Sequence, residues 1–323
     1  MTHVVVTGAA GFIGSNLVDR LLADDHVVVG IDCFADYYDP RLKEENLRGA
    51  LKHPAFTLVR ADLLTLLEDS GEARSALVGA ECVYHLAAQA GVSSSWGRSF
   101  RTYTDSNVLA TQAVLEACAA EGTPSVVYAS SSSVYGDVTT MPLREDGPCR
   151  PISPYGVTKL AGEHLCRLYA TGRGLHTVCL RFFTVFGPRQ RPDMAFNLFM
   201  HALRDGREIS VYGGGEQTRD FTFVDDIVAG IVAAHAAPSG SIINLGGGHR
   251  VSLLEALETL ADVTGITPRL VSAAAQTGDA RDTWASLERA RALLGYQPRT
   301  SLADGLAAQW EWLTRSAGFT PPR

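Results

Sequence analysis

For about the first 180 residues, short apolar runs alternate with longer stretches of helical periodicity, and few folds accept that order. The runs Val4–Thr7, Val27–Ile31, Phe56–Arg60, Cys82–Leu86, Ser125–Ser130 and Thr177–Phe182 are rich in β-branched residues. Most are continuously apolar rather than alternating, the pattern of parallel strands buried on both faces. Between them the spacing predicts helices such as Ser15–Ala23, Asn107–Glu121 and Gly156–Thr171. The order strand, helix, strand argues for an α/β fold built on a doubly wound parallel (Rossmann) sheet. After Phe183 the pattern changes, with breaks at Gly187-Pro188 and Arg191-Pro192 and a glycine turn at Gly213–Gly215. Helices are expected at Ala195–Arg204 and Val224–Ala236, one more strand at Ser241–Leu245, and two amphipathic helices near the C-terminus, Leu253–Thr264 and Ser286–Leu294. The expected division is a dinucleotide-binding domain of residues 1–183 and 223–248, with a smaller, discontinuous substrate lobe of 184–222 and 249–323. No internal repeat or low-complexity linker interrupts this plan.

Composition removes several function classes. With 46% hydrophobic and 20% charged residues, the 323-residue chain has the balance of a globule. A net charge of -7 opposes nucleic acid as the main partner, yet leaves room for a small phosphorylated ligand held by a few arginines. No apolar run reaches membrane-spanning length, and the N-terminus enters a strand-like segment directly, so the expected address is the cytoplasm. The six cysteines include no Cys-x-x-Cys pair and the nine histidines no His-x-x-x-His pair, so no metal site is expected.

Two clusters carry chemistry. Thr7-Gly8-Ala9-Ala10-Gly11-Phe12-Ile13-Gly14 follows the first strand and opens the first helix, where a glycine turn lets backbone approach a pyrophosphate. Asp32 ends the second strand 21 residues past Gly11, placed to accept from ribose hydroxyls and to repel a 2′-phosphate. NAD is therefore expected over NADP; a tight turn without a ligand is the plain alternative. The second cluster pairs Tyr155 with Lys159, one turn apart on a helix, with the hydroxyl run Ser130-Ser131-Ser132-Ser133 at a strand's carboxyl end. A phenol is a weak base at neutral pH, and a neighbouring cation can lower its pKa. A surface tyrosine beside a solvated lysine is the bland reading.

The segments T-G-A-A-G-F-I-G, H-L-A-A-Q-A-G-V, S-S-S-S-V-Y-G, Y-G-V-T-K, R-F-F-T-V-F-G-P and G-D-A-R-D-T-W together resemble the extended short-chain dehydrogenase/reductases that act on nucleotide sugars. The likeness runs almost the whole length. It implies that Gly8, Gly11, Phe12, Ile13, Gly14 and Asp32 hold NAD, with Asp62-Leu63 beside adenine. Leu86, Ala87, Ala88 and Gln89 would line the nicotinamide side, and Asn107 would tie neighbouring backbone together. Tyr155 would be the base and Ser131 its hydroxyl partner. Lys159 would bind the nicotinamide ribose and depress the Tyr155 phenol. Arg219 and Arg281 would clamp a UDP pyrophosphate, a task that suits the guanidinium fork. The implied reaction oxidises the sugar at C4, turns the flat 4-keto sugar and reduces it from the opposite face.

Within the family, the positions after Ser131 are Ser132 and Ser133, where 4,6-dehydratases carry an Asp-Glu pair and decarboxylases a Glu before V-Y-G. The segments Asp36-Tyr37-Tyr38-Asp39-Pro40 and Arg181-Phe182-Phe183-Thr184, continuing to Arg191-Pro192-Asp193-Met194-Ala195, are similar to UDP-glucuronate 4-epimerases. Ser132, Ser133, Thr184 and Arg191 would then receive a sugar carboxylate. Ser93-Ser94-Ser95-Trp96 departs from that pattern toward neutral-sugar relatives, so a UDP-glucose/UDP-galactose 4-epimerase is the alternative, followed by a decarboxylase and by a non-catalytic NAD-binding regulator. A homodimer is expected through the helices Asn107–Glu121 and Gly156–Thr171.

Overall fold

The computed structural model describes residues 2–68, 71–274, 278 and 280–315. At its centre is a seven-stranded sheet whose strands are β1 (His3–Thr7), β2 (Val27–Asp32), β3 (Phe56–Arg60), β4 (Cys82–His85), β5 (Ser125–Ser131), β6 (His176–Phe182) and Ser241–Leu245. They run parallel in the spatial order β3-β2-β1-β4-β5-β6, with Ser241–Leu245 outermost beside β6. The order reverses direction at β1 and β4, so their carboxyl ends diverge and open the crevice where such sheets hold ligands. Val4, Val5 and Val6 are fully enclosed, and all seven residues of β5 are buried, because helices cover both faces. One apolar layer includes Leu17, Leu21 and Ile227, and the opposite one includes Val114, Leu115 and Cys166.

The long helix Pro154–Arg173 starts where Ser153 caps it, accepting from the Gly156 N–H, with proline in the first turn. It ends on Gly174 in the left-handed conformation. The helix expected from Asn107 begins earlier, at Phe100, and passes through a π-turn at Asp105–Leu109 before continuing as Ala110–Glu121. That turn carries Asn107, and such bulges re-aim single side chains at functional sites.

Beyond Phe183 three small sheets form. Thr184–Phe186 pairs with Phe221–Phe223, Thr218–Arg219 with Val251–Ser252, and Glu208–Tyr212 with Arg269–Ala273. The C-terminal region holds a third helix, Leu302–Arg315, in addition to the two expected. Gly305 in its interior weakens the helical signal. It is needed there because a Cβ would lie 2.6 Å from the Phe186 ring. This helix reaches back through Gln309, which accepts from Gly187 N–H at 2.9 Å and donates to Gln190 at 2.8 Å. No described helix is long and apolar enough to cross a membrane.

Candidate active site

One cavity runs along the carboxyl ends of β1, β2, β4 and β5. At one end the glycine turn forms its wall. Gly8 has φ +68°, and a Cβ there would sit 2.8 Å from the Ala87 backbone. At Gly14 a Cβ would come 2.1 Å from the Gly8 carbonyl, so turn and helix meet backbone to backbone. No side chain caps the Phe12–Ala23 helix at Gly11, which leaves the first-turn N–H groups of Phe12, Ile13 and Gly14 toward the cavity they line. An anion fits that end, since the helix dipole favours negative charge.

Asp32 is buried at the end of β2. Its carboxylate accepts from Ala10 N–H at 3.0 Å and Phe34 N–H at 2.8 Å. Lys43 stands 3.7 Å away and also lines the cavity. The lysine is a partner that the spacing argument for Asp32 did not supply. Asp62 and Leu63 border the same end, and Asp62 caps its short turn by accepting from Leu64 N–H at 2.9 Å. These groups fit a dinucleotide: a backbone cradle for phosphate, a carboxylate for sugar hydroxyls, and apolar walls.

The middle of the cavity is floored by Leu86, Ala87, Ala88 and Gln89. A polar network below fixes that segment. Thr7 Oγ1 accepts from Ala87 N–H and pairs with His85 Nδ1 at 2.8 Å, while His85 Nε2 meets Thr111 Oγ1 at 3.1 Å. Burial pushes His85 down to about 3, so it stays neutral. Asn107 lies outside the cavity lining. It accepts from Gln89 N–H at 2.7 Å and donates to Gln89 O at 3.0 Å and Thr158 Oγ1 at 3.0 Å.

Tyr155 and Lys159 face the cavity one turn apart on the Pro154–Arg173 helix, beside Ser130. Lys159, 3% exposed, donates to Ala129 O at 2.8 Å and lies over the Tyr128 ring. Burial pushes its amine down to about 7. Burial also raises the Tyr155 phenol above its ordinary value, while the Ser131 hydroxyl in hydrogen-bonding position and the Arg191 cation work against that rise. In the protein alone desolvation outweighs these influences on Tyr155, as it does for Lys159. Ser131 also caps the short turn Ser132–Val134, accepting from Ser133 N–H at 3.1 Å.

Of the expected sugar-side residues, Arg191 alone lines the cavity; Ser131, Ser132, Ser133, Thr184, Arg219 and Arg281 lie outside its lining. Ser132 and Ser133 are half-buried beside Ser131, and Thr184 opens its strand against Phe221. Arg191 is held by Asp193 through two bonds of 2.9 and 3.0 Å, and Asp193 also accepts from the Tyr37 hydroxyl at 3.0 Å. Arg219 donates to the Arg281 carbonyl at 2.8 Å, which brings the two arginine-bearing segments together. Arg281 itself is exposed. Asp279, within the motif at 278–284, lies outside the described residues. Sequence reasoning missed Tyr103, whose ring meets Tyr155 edge-on at 6.2 Å, and Glu163, four residues past Lys159. Helical spacing pointed to Glu163; nothing in the sequence pointed to Tyr103. Among the described residues no group of three or more His, Cys, Asp or Glu side chains could hold a metal ion.

Residues 4–246 match the model of the NAD dependent epimerase/dehydratase family. A Bacillus subtilis protein described as an uncharacterized UDP-glucose epimerase, YtcB, is 42% identical over 314 residues, spanning 96% of this chain and 98% of its own. The crystal structure of the UDP-glucuronic acid 4-epimerase from Bacillus cereus, in complex with UDP-glucuronic acid and NAD, superposes with a TM-score of 0.92 at 39% identity, over 97% of this chain and 99% of that one. MoeE5 in complex with UDP-glucose and NAD gives 0.85 at 41%, over 97% and 99%. The chain belongs to the NAD dependent epimerase/dehydratase family.

Proposed function

We propose that this enzyme, an NAD-dependent nucleotide-sugar 4-epimerase, inverts C4 of a UDP-hexuronic acid, interconverting UDP-glucuronate and UDP-galacturonate. The observation that carries the reading is Arg191, a cation bordering the same cavity as Tyr155 and within electrostatic reach of its phenol. A carboxylate on C6 of a sugar whose O4 faces Tyr155 finds its partner there, with Ser132, Ser133 and Thr184 as further donors. When bound against the glycine turn and Asp32, NAD supplies reversible two-electron oxidation at C4.

The chain's own residues supply the proton and the geometry. Tyr155 takes the O4 proton during oxidation and returns it during reduction, with Ser131 stabilising the phenolate by a hydrogen bond. Lys159 binds a cofactor ribose hydroxyl and steadies the charge beside Tyr155. Arg219 and Arg281 grip the pyrophosphate, in a sugar lobe of residues 184–222 and 249–323. The carboxylate donors keep the C5–carboxylate bond out of line with the C4 carbonyl π-system, which suppresses loss of CO₂ during the keto stage. Two subunits pair through the helices Ala110–Glu121 and Pro154–Arg173, the second of which exposes Val157 and Leu168; a light-scattering mass of one chain would contradict this.

A second reading, a UDP-glucose 4-epimerase, is favoured by one observation. Asp193 already engages two donors of Arg191, which compensates the charge a carboxylate needs. Incubation with UDP-glucuronate alone tests the first reading: UDP-galacturonate is the expected product. A UDP-pentose product points instead to a decarboxylase; in a parallel incubation, turnover of UDP-glucose alone points to the second reading, and no turnover of either sugar to a regulator.

A further inference from the structure

We propose that Glu163 is a positioning residue of the acid–base centre, setting the height of β5 along the Pro154–Arg173 helix; this rests on the reading of Tyr155, Lys159 and Ser131 given above. Three successive residues at the end of β5 each meet that helix at points one turn apart. Ala129 O accepts from Lys159, Ser130 Oγ donates to Glu163 Oε1 at 2.5 Å, and Ser131 faces Tyr155. Positions 155, 159 and 163 share one helix face. The strand end is thus laced to the helix at three points, and Glu163 holds the one furthest along the helix from Tyr155.

Glu163 is itself anchored from the far side. Arg181 on β6 donates to it through Nε at 2.9 Å and Nη2 at 2.8 Å, and both side chains are at most 3% exposed. A buried ion pair is a poor source of stability, because removing two charges from water costs about what their attraction returns. Here the arrangement is not even complete. Arg181 Nη1 is buried with no partner among the described residues, and Nη2 also reaches Cys149 Sγ at 3.2 Å. Apolar side chains of similar size often replace such a pair with little loss of stability. What they would not do is fix Ser130 at a defined height beside Ser131, nor leave a carboxylate one turn from the Lys159 ammonium. Other groups facing Lys159 are Cys166 on its own helix, Tyr128 on β5 and His85 on β4; besides Arg181, Glu163 further faces Tyr128, Cys149 and, on β6, Cys179. Of these, Glu163 is the carboxylate that favours the charged lysine.

The test uses the full-length, NAD-loaded enzyme with UDP-glucuronate and UDP-glucose as substrates. Three proteins are compared with wild type: Ser130→Ala, the double variant Glu163→Leu with Arg181→Met, and Tyr155→Phe. The double variant should keep its melting temperature within a few degrees while kcat falls roughly tenfold to a hundredfold, the usual penalty for displacing a reacting group by part of an ångström. KM should change little, and the alkaline limb of the kcat profile, where Lys159 loses its proton, should move to lower pH as the lysine loses its supporting carboxylate. Ser130→Ala cuts one of these points without disturbing the ion pair, so it should lower kcat several-fold, and it decides the matter should the double variant fail to fold. Unchanged kcat and an unchanged pH profile in these variants, beside an inactive Tyr155→Phe, overturn the proposal alone. Turnover that survives in Tyr155→Phe overturns the reading of the centre on which it rests.

Discussion

At the cofactor end of the cleft, recognition is built from backbone: the Gly8–Gly14 approach, the open first turn of the Phe12–Ala23 helix, and an Asp32 carboxylate pinned by two N–H groups. At the proposed sugar end it would rest on side chains that are half-buried or exposed and already engaged, Arg191 with the Asp193 carboxylate and Arg219 with the Arg281 carbonyl. Backbone geometry tolerates few sequences, whereas a side-chain pair can be rearranged by one substitution or by the ligand. On the proposed reading, cofactor binding is set largely by backbone geometry, and sugar choice by a handful of replaceable groups. The tests below probe the catalytic centre where the two ends meet, then each end in turn.

Tyr155 lies between them, and losing it should have the largest effect. Tyr155→Phe is expected to keep the fold and NAD binding while kcat drops on the order of 10² to 10⁴, the worth of a positioned acid–base group. Turnover assays beside calorimetry of NAD binding check both halves of that statement. At the cofactor end, Gly14→Ala forces a methyl to within 2.1 Å of the Gly8 carbonyl. It should cost about 1–3 kcal/mol in thermal unfolding and weaken NAD binding in parallel. A protein with unchanged melting and unchanged NAD affinity would show that the close packing is dispensable.

Those two ends also differ in how they read from sequence. The strand–turn–helix of Gly8–Gly14 and the acidic end of β2 were legible because each depends on local spacing that only a few residue types satisfy. Candidate strands matched to within a residue for the same reason, since buried parallel strands are continuously apolar. Lys43, Tyr37 and Asp193 were not legible as partners. Tyr37 and Asp193 are 156 residues apart, and no periodicity links them. The Leu302–Arg315 helix escaped because Gly305, required by Phe186, lowers the propensity that would have marked it. Likewise the lowered Lys159 and raised Tyr155 depend on burial, which motifs do not encode.

Smaller effects sharpen the comparison. Wild-type enzyme should prefer NAD over NADP clearly, through charge repulsion at Asp32, and Asp32→Asn should narrow that preference by about tenfold, or 1.4 kcal/mol. Equal affinities for the two cofactors in wild type would remove Asp32 from the account. At the sugar end, Thr184→Val and Ser133→Ala should each shift the preference for UDP-glucuronate over UDP-glucose by only a few-fold. These positions are partly exposed, and water replaces much of a lost hydrogen bond. A trace of UDP-pentose should accompany the shift, as the C5–carboxylate bond gains freedom. Chromatography that separates hexuronate from pentose products reads both outcomes at once.

The most direct measurement offers UDP-glucuronate and UDP-glucose together, at equal concentration, and follows both by NMR. If the sugar end holds a carboxylate through Arg191, UDP-galacturonate accumulates first, with little UDP-galactose and no pentose in the wild type. If UDP-glucose turns over as fast as UDP-glucuronate, the carboxylate site does not exist, and the enzyme is a neutral-hexose epimerase.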